Sequence, residues 1–467
     1  MSSVLAGVIA YIVVQFAIGA FVSRNIKTET DYINAGRRIG TVIGAFTVFA
    51  TWFGAEVVVG TSGAVYEAGL SGAQFDPFGY ALSLFIAGVV FAAALWRQGL
   101  TTFADFFARR FGTATERVVV FMLVPGSVFW AAAQIRAFGQ IVSGVSEIDA
   151  TVAITIAAIV VCAYTVLGGL MADAITDLVQ GIAVIFGLVL LVWLVSSSLG
   201  GIEASLAAVP RDRLVLTPVS TTPPLEILEK WLVPICGTVV AIELISRILG
   251  CRSAKVASRA TIAGAGLYLI VGLLPVYLGL VGPMVLPGLE GDALEQVVPL
   301  LAERFLPGAL HIIFAGALIS AILSTVDSTL VAAASLLSHN LFIPALSISE
   351  SRARLLSVRL TVVALATLAY GLAMNAGSVR DLVETAAAFG SSGVMVCLVI
   401  GLFTRIGSAP SALAALFTGS GVWIVATITG WSTTPYTLAL AAALLAYAAG
   451  LPFSARWPHP AHEGKAG

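Results

Sequence analysis

Thirteen stretches of this sequence, spread from end to end, are each apolar over about the 20 residues that an α-helix needs to cross a bilayer. They fall near 3–22, 41–65, 75–96, 118–146, 151–170, 174–199, 226–250, 261–284, 309–337, 356–375, 382–404, 409–429 and 434–453. Little is left with which to face water. Of the 467 residues, 10% are charged and 59% hydrophobic, where a soluble protein carries about 25% charge. That balance excludes a soluble enzyme, a disordered regulator and a nucleic-acid binder, and the net charge of −1 offers nothing to a polyanion. The expected fold class is an all-α polytopic membrane protein with about 13 transmembrane helices. It forms a single transmembrane domain, residues 1–467, whose surroundings are the lipid bilayer.

The positive charges orient it. No Lys or Arg precedes Arg24, so the first run lacks the basic start of a cleaved signal and reads as a retained helix with its N-terminus outside. Loops after odd-numbered helices are then cytoplasmic. Of 24 Lys and Arg, only Arg211, Arg213, Lys230, Arg304 and Arg380 face outward, and Arg136 lies within a span. The others, Arg247 included, gather at the inner loops and their flanks, as the positive-inside rule requires. The C-terminus is therefore cytoplasmic, and the tail after Pro452 is short and polar. Many Ala and more Arg than Lys point to a GC-rich bacterium and its inner membrane. The external connections near 200–225 and 285–308 have room for short helices. Cys162, Cys236, Cys251 and Cys397 are too far apart for a zinc cage, and no histidine pair has metal spacing.

A charge at bilayer depth costs on the order of 2.5–3.5 kcal/mol even on a lenient scale, so each one is a functional candidate. The spans hold Glu56, Arg136, Asp177, Glu243 and Asp327, with Asp76 and Glu384 near span ends. The second span runs from Phe49 through Trp52 and Gly54 to Glu56, followed by Gly60 and Gly63. Glycines weaken a helix there, and broken helices are how transporters present carbonyls to ions. In the ninth span Ser320, Ser324, Asp327 and Ser328 share a helical face. That oxygen-rich patch suits a hard monovalent cation, and it is too poor in carboxylates for calcium. In the sixth span Asp173 reads as a cap at the helix start, whereas Asp177 and Gln180 lie deeper than a cap explains.

Three stretches carry a resemblance: Ala50-Thr51-Trp52-Phe53-Gly54; Tyr164 to Gly169 with Thr176-Asp177 and Gln180; and Leu323-Ser324-Thr325-Val326-Asp327-Ser328. In this order, on these helices, they resemble the sodium:solute symporter family along nearly the whole chain. The resemblance implies a LeuT-type 5+5 inverted-repeat core. Its first repeat would span 41–199 and its inverted second 226–404, with an extra N-terminal helix and loop over 1–40 and two further helices and a tail over 405–467. It implies Na+ as the coupling ion, held at a first site by Ala50, Phe53, Ala321, Ser324 and Thr325. A second sodium site would use Asp177, Asp327 and Ser328 beside Ser324, and Asp327 also suits a proton.

Within the family, Gly36 to Gly40, Gly79 to Leu84 and Phe129 to Ala133 are most similar to the high-affinity choline transporter branch. That likeness implies an aromatic cage at Trp52, Tyr80 and Trp130. The cage's fourth aromatic is replaced by Ala241, two residues before Glu243. Glu56 and Glu243 sit on the two broken-helix candidates and suit a cationic solute. Arg136 would either neutralise one of them or grip a substrate carboxylate. The expected activity is symport of a small cationic or zwitterionic nitrogen solute by a monomer, with a carboxylate anchored by Arg136 as the alternative. A channel would need symmetric rings of like residues. The Gly390-Ser391-Ser392-Gly393 run matches an intramembrane serine hydrolase, yet the only later histidines, His459 and His462, lie in the tail, so no base reaches Ser392.

Overall fold

A computed structural model describes residues 28–54, 56–144, 148–167, 170–218, 222–376 and 379–454, with Val13, Ala17 and Phe21 before them. Among these residues the chain forms helices and no strands. Helix α1 (Thr41–Trp52) stops at Phe53, whose φ of −85° and ψ of 68° leave the helical region. The chain becomes helical again over Glu56–Thr61 and Ser62–Ala68, together α2. Next come α3 (Tyr80–Ile86, continuing to Arg97), the short α4 (Ala104–Phe111), α5 (Thr113–Gly144), α6 (Ala150–Leu167) and α7 (Leu170–Ser198). A second broken helix follows: α8 (Pro224–Val239) and α9 (Ile242–Gly250) meet at 42°. After it come α10 (Ala254–Val285), α11 (Val297–Phe305), α12 (Gly308–Leu337), α13 (Ser351–Asn375), α14 (Val379–Ala388), α15 (Ser391–Phe403), α16 (Ala409–Thr429) and α17 (Pro435–Ala449).

Every expected span after the first has its helix here. The first, 3–22, and the tail beyond Ser454 lie outside the described residues. The two long connections hold the short helix Ile202–Ala207 and α11. Some helices stop short of the apolar runs, as α6 does at Leu167, and others outrun them. Helix α10 begins at Ala254 rather than 261, with the Ser253 hydroxyl accepting from the Val256 N–H at 3.2 Å, because a helix continues past the hydrocarbon as long as its cap holds.

Helical structure is nearly continuous from Glu56 to Arg97, yet this stretch crosses twice. Gly264 of α10 lies against Ala45 and Val48, and Gly279 against Ser62 and Val65, so α1 and α2 run parallel to α10. Gly272 instead meets Pro77, and Gly88 meets Ile262, so α3 runs back the other way. The reversal is made at Gly69 (φ +69°) and at Asp76, which is extended (φ −138°, ψ 128°). Positive φ costs glycine nothing.

Polarity is inverted relative to a soluble protein. Phe121, Phe186, Trp193, Ile270, Leu360 and Leu445 are exposed, while Asp173, Asp177, Arg247 and Asp327 are buried. So large an apolar exterior needs lipid around it. The α1–α10 contact is correspondingly tight: a Cβ on Gly264 would stand 2.8 Å from Val48 Cγ1 and 2.9 Å from Ala45 O, whereas one on Gly266 would meet nothing within 4 Å. Gly264→Ala is therefore expected to lower the melting temperature of the detergent-purified protein, by about 1–3 kcal/mol of overpacking. Gly266→Ala should leave it unchanged or raise it. Equal melting of the two variants would contradict this packing.

Candidate substrate and sodium sites

Four helices deliver their polar residues to one buried cluster. Arg247 of α9 donates through Nη2 to Asp173 Oδ2 at 2.6 Å, with each side chain only 1% exposed. Ser328 Oγ of α12 donates to the same oxygen at 2.8 Å, and Ser324 Oγ is 3.0 Å from Asp173 Oδ1. Ser324 Oγ also hydrogen-bonds Asp177 Oδ1. Thr47 of α1 donates to Asp177 Oδ2 at 2.5 Å. A buried ion pair is tolerable only when its remaining lone pairs are filled in this way. The cluster therefore ties one half of each broken helix, α1 and α9, to α7 and α12.

Two sequence readings change here. Asp173 does stand in the first turn of α7, but its oxygens are taken by α9 and α12 rather than by backbone N–H groups of its own helix start. Arg247, expected among the cytoplasmic flanking charges, is a core residue. A cation near the end of an apolar run looks the same in sequence whether it points to water or to a buried carboxylate. The second-site residues also divide. Asp177 meets Ser324, and Ser328 meets Asp173. Asp327 is fully buried, and among the described residues the donor beside its carboxylate is the Thr165 hydroxyl. At about 100° per residue, Asp327 and Ser328 flank Ser324 about 100° apart on one helical face, and of the two only Ser328 hydrogen-bonds an Asp173 oxygen.

The break after α1 exposes a carbonyl. A continuing helix would aim the Gly54 N–H at Ala50 O, but with Phe53 out of helical geometry Gly54 donates to Trp52 O instead, at 3.0 Å. Ala50 O then accepts from Thr325 Oγ1 of α12 at 3.2 Å, and that hydroxyl lies 3.1 Å from Ala321 O. Gly54 is pressed into this junction: a Cβ there would stand 2.7 Å from Gln134 Oε1 and 3.2 Å from Thr325 Oγ1. Of the five first-site residues, Ala50, Ala321 and Thr325 thus meet at the break, Phe53 forms it, and the Ser324 hydroxyl turns instead to Asp173 and Asp177.

Beside the break lies a cavity walled by aromatic rings. The Trp52 and Trp130 centroids are 6.5 Å apart, and those of Tyr80 and Trp130 are 6.1 Å apart. Ala241, Glu243, Ser127 and Thr238 also line it. A further aromatic, Phe389, enters from the turn between α14 and α15, where Gly390 has φ +70°. It lies outside 226–250, where the family likeness places the missing ring, and the aromatic-glycine pair before Ser391 is its signal in the sequence. Glu243 Oε1 accepts from Ser127 Oγ at 2.5 Å.

The remaining substrate candidates lie elsewhere. Glu56 lines an adjacent cleft with Thr61, Asp76 and Glu384. There Asp76 accepts from Tyr268 at 2.5 Å and from Thr61 at 2.9 Å. Arg136 is outside the lining of the aromatic cavity, and its Nη1 donates to Ala373 O of α13 at 3.3 Å.

Comparison with known proteins now has a geometry to meet. The chain is 26% identical over 381 residues to the high-affinity choline transporter 1 of Caenorhabditis elegans, covering 72% of this chain and 62% of that protein. It is 26% identical over 438 residues to the sodium/pantothenate symporter of Haemophilus influenzae, covering 89% of each. The solved structure of a Na+-coupled sialic acid symporter, substrate-bound and outward-open, superposes with a TM-score of 0.84 over 97% of this chain and 98% of that one. At 16% identity this likeness speaks to fold alone, and the fold is LeuT-type. The profile of one family matches residues 32–419. The chain belongs to the sodium:solute symporter family.

Proposed function

We propose that the protein is a sodium-coupled secondary active symporter that imports a small cationic or zwitterionic organic nitrogen solute by alternating access. One observation supports this above others. The cavity walled by Trp52, Tyr80 and Trp130, with Glu243 among its lining, lies directly against the helix break at which Ala50, Ala321 and Thr325 converge their oxygens. Aromatic faces attract a cation by about 0.5–2 kcal/mol each, and the carboxylate adds charge complementarity. The oxygen set at Thr325 fits a hard monovalent cation: carbonyls and hydroxyls, with the nearest carboxylates one shell away. Sodium bound there would join α1 to α12 and favour one orientation of the broken helix, which is how ion binding shifts such an equilibrium. Asp177 with Ser324, and Ser328 with Asp173, supply oxygens for a second ion.

The two broken helices open two groups of spans, 41–199 and 226–404, that we read as inverted repeats rocking about these sites. All these residues come from one chain, so a monomer suffices. The charge pattern supports a bacterial inner membrane with the N-terminus outside and the C-terminus cytoplasmic. A potential of 100 mV supplies about 2.3 kcal/mol per charge, enough for one sodium to sustain a gradient of about fiftyfold. Arg136 stands off the cavity lining, which favours the nitrogen solute over a carboxylate anchored by Arg136.

The test is uptake into proteoliposomes under an inward sodium gradient or an equal potassium gradient, across cholines, betaines, amines, guanidines, amino acids, monocarboxylates and sugars. Concentrative uptake of a nitrogenous cation or zwitterion with sodium alone is the expected result. Uptake of the same size in potassium would remove the sodium coupling. A sodium-driven monocarboxylate or sugar would overturn the nitrogen-solute reading.

A further inference from the structure

We propose that the aromatic cavity selects organic cations bearing at least one N–H over fully substituted ones, and that Glu243 is the residue that makes the distinction. This rests on the organic-cation reading above and narrows it to a substrate class.

Three observations carry it. Among the described residues lining the cavity, Glu243 is the only charged side chain, and it is 7% exposed. Ser127 occupies Oε1, and no other side chain donates to the carboxylate. Arg247, one turn along α9, attracts it but gives the carboxylate no hydrogen bond: its guanidinium reaches Asp173, the Ser246 hydroxyl and the backbone oxygen of Glu243. Across the break, the Thr238 hydroxyl lines the same cavity at 3% exposure with no hydrogen-bond partner. The cavity therefore presents a carboxylate held by one side-chain donor and its own backbone N–H, with lone pairs to spare, and an uncommitted hydroxyl, between rings.

The rings do not distinguish the two kinds of cation. Attraction to an aromatic face follows charge, and a methylated and a protonated ammonium carry the same charge. The carboxylate does distinguish them. A protonated amine gives it a charge-assisted hydrogen bond. A quaternary ammonium has no donor, holds its charge off behind methyl groups, and leaves a desolvated lone pair unfilled. Thr238 favours a solute with a second hydrogen-bonding group.

The experiment is sodium-dependent binding to the purified full chain of ethanolamine, N-methylethanolamine, N,N-dimethylethanolamine and choline, measured by calorimetry or thermal shift. The hydroxyl and chain length stay constant while N–H count falls to zero. The expected result is a Kd for dimethylethanolamine lower than that for choline by about tenfold or more, with the ratio falling to about twofold in Glu243→Gln. Choline binding as tightly as dimethylethanolamine in the unaltered protein would overturn the inference and leave the organic-cation reading standing. Failure of all four, with a sodium-dependent hit among sugars or monocarboxylates, would overturn both. The unaltered protein decides the first comparison even if Glu243→Gln does not fold.

Discussion

Arg247→Met is expected to be the most destabilising single substitution in this protein. It would leave Asp173 without its 2.6 Å partner, with Asp177 and Asp327 buried close by. Stranding one member of a buried pair costs about 3–5 kcal/mol, a large part of the stability of most folded proteins. The variant should therefore give little monodisperse protein, or melt far below the parent. Asp173→Asn alone should also destabilise, since it leaves the guanidinium in the same place with weaker acceptors. The combined Arg247→Met and Asp173→Asn variant should recover much of the loss, because removing both charges removes both desolvation penalties. Melting curves of the four proteins complete a double-mutant cycle, and a coupling energy near zero would show that the pair is not what binds α9 to α7.

That pair also marks the limit of what the sequence made legible. The spans were readable because hydrocarbon leaves a chain few choices: a run of apolar residues long enough to cross must satisfy its own backbone. The break near Gly54 was readable from glycines and a carboxylate placed where a lipid-facing helix has no use for them, and the one near Ala241 from the repeat that the family likeness implies, with Glu243 on it. The aromatic walls Trp52, Tyr80 and Trp130 came from a family likeness, and they converge because α1, α3 and α5 meet there. What did not show was direction. Asp327 and Ser328 are neighbours in sequence and face different partners. Arg247 is shielded from lipid and water by a carboxylate 74 positions earlier in the chain. Phe389 reaches the cavity from a third helix pair. Each of these depends on rotation about a helix axis or on a long-range contact, and periodicity in a single apolar helix constrains neither when the residues on every face are apolar.

Thr325→Val is expected to abolish sodium coupling at working sodium concentrations while leaving the fold intact. Valine keeps the volume and branching of threonine and removes one oxygen. That oxygen lies 3.2 Å from Ala50 O and 3.1 Å from Ala321 O, so it is the centre of the proposed first-site ligand set. A ligand or hydrogen bond to a charged group is worth about 1.5–3 kcal/mol, or roughly 10–150-fold in affinity. Sodium is shared between α1 and α12, so the loss should appear in the sodium concentration giving half-maximal uptake, raised by at least about tenfold. Substrate affinity at saturating sodium should change far less, because the aromatic cavity keeps its lining. The fold should tolerate the change: the single hydroxyl proton is shared between Ala50 O and Ala321 O, so its removal costs about one neutral hydrogen bond. Ser324→Ala provides the contrast. It removes the proton bridging Asp173 and Asp177 as well as a first-site oxygen, so it should lower both sodium affinity and melting temperature. If Thr325→Val retains the parental sodium dependence with full uptake, the ion does not bind at the α1 break, and the cluster around Asp173 and Asp177 becomes the place to look for it.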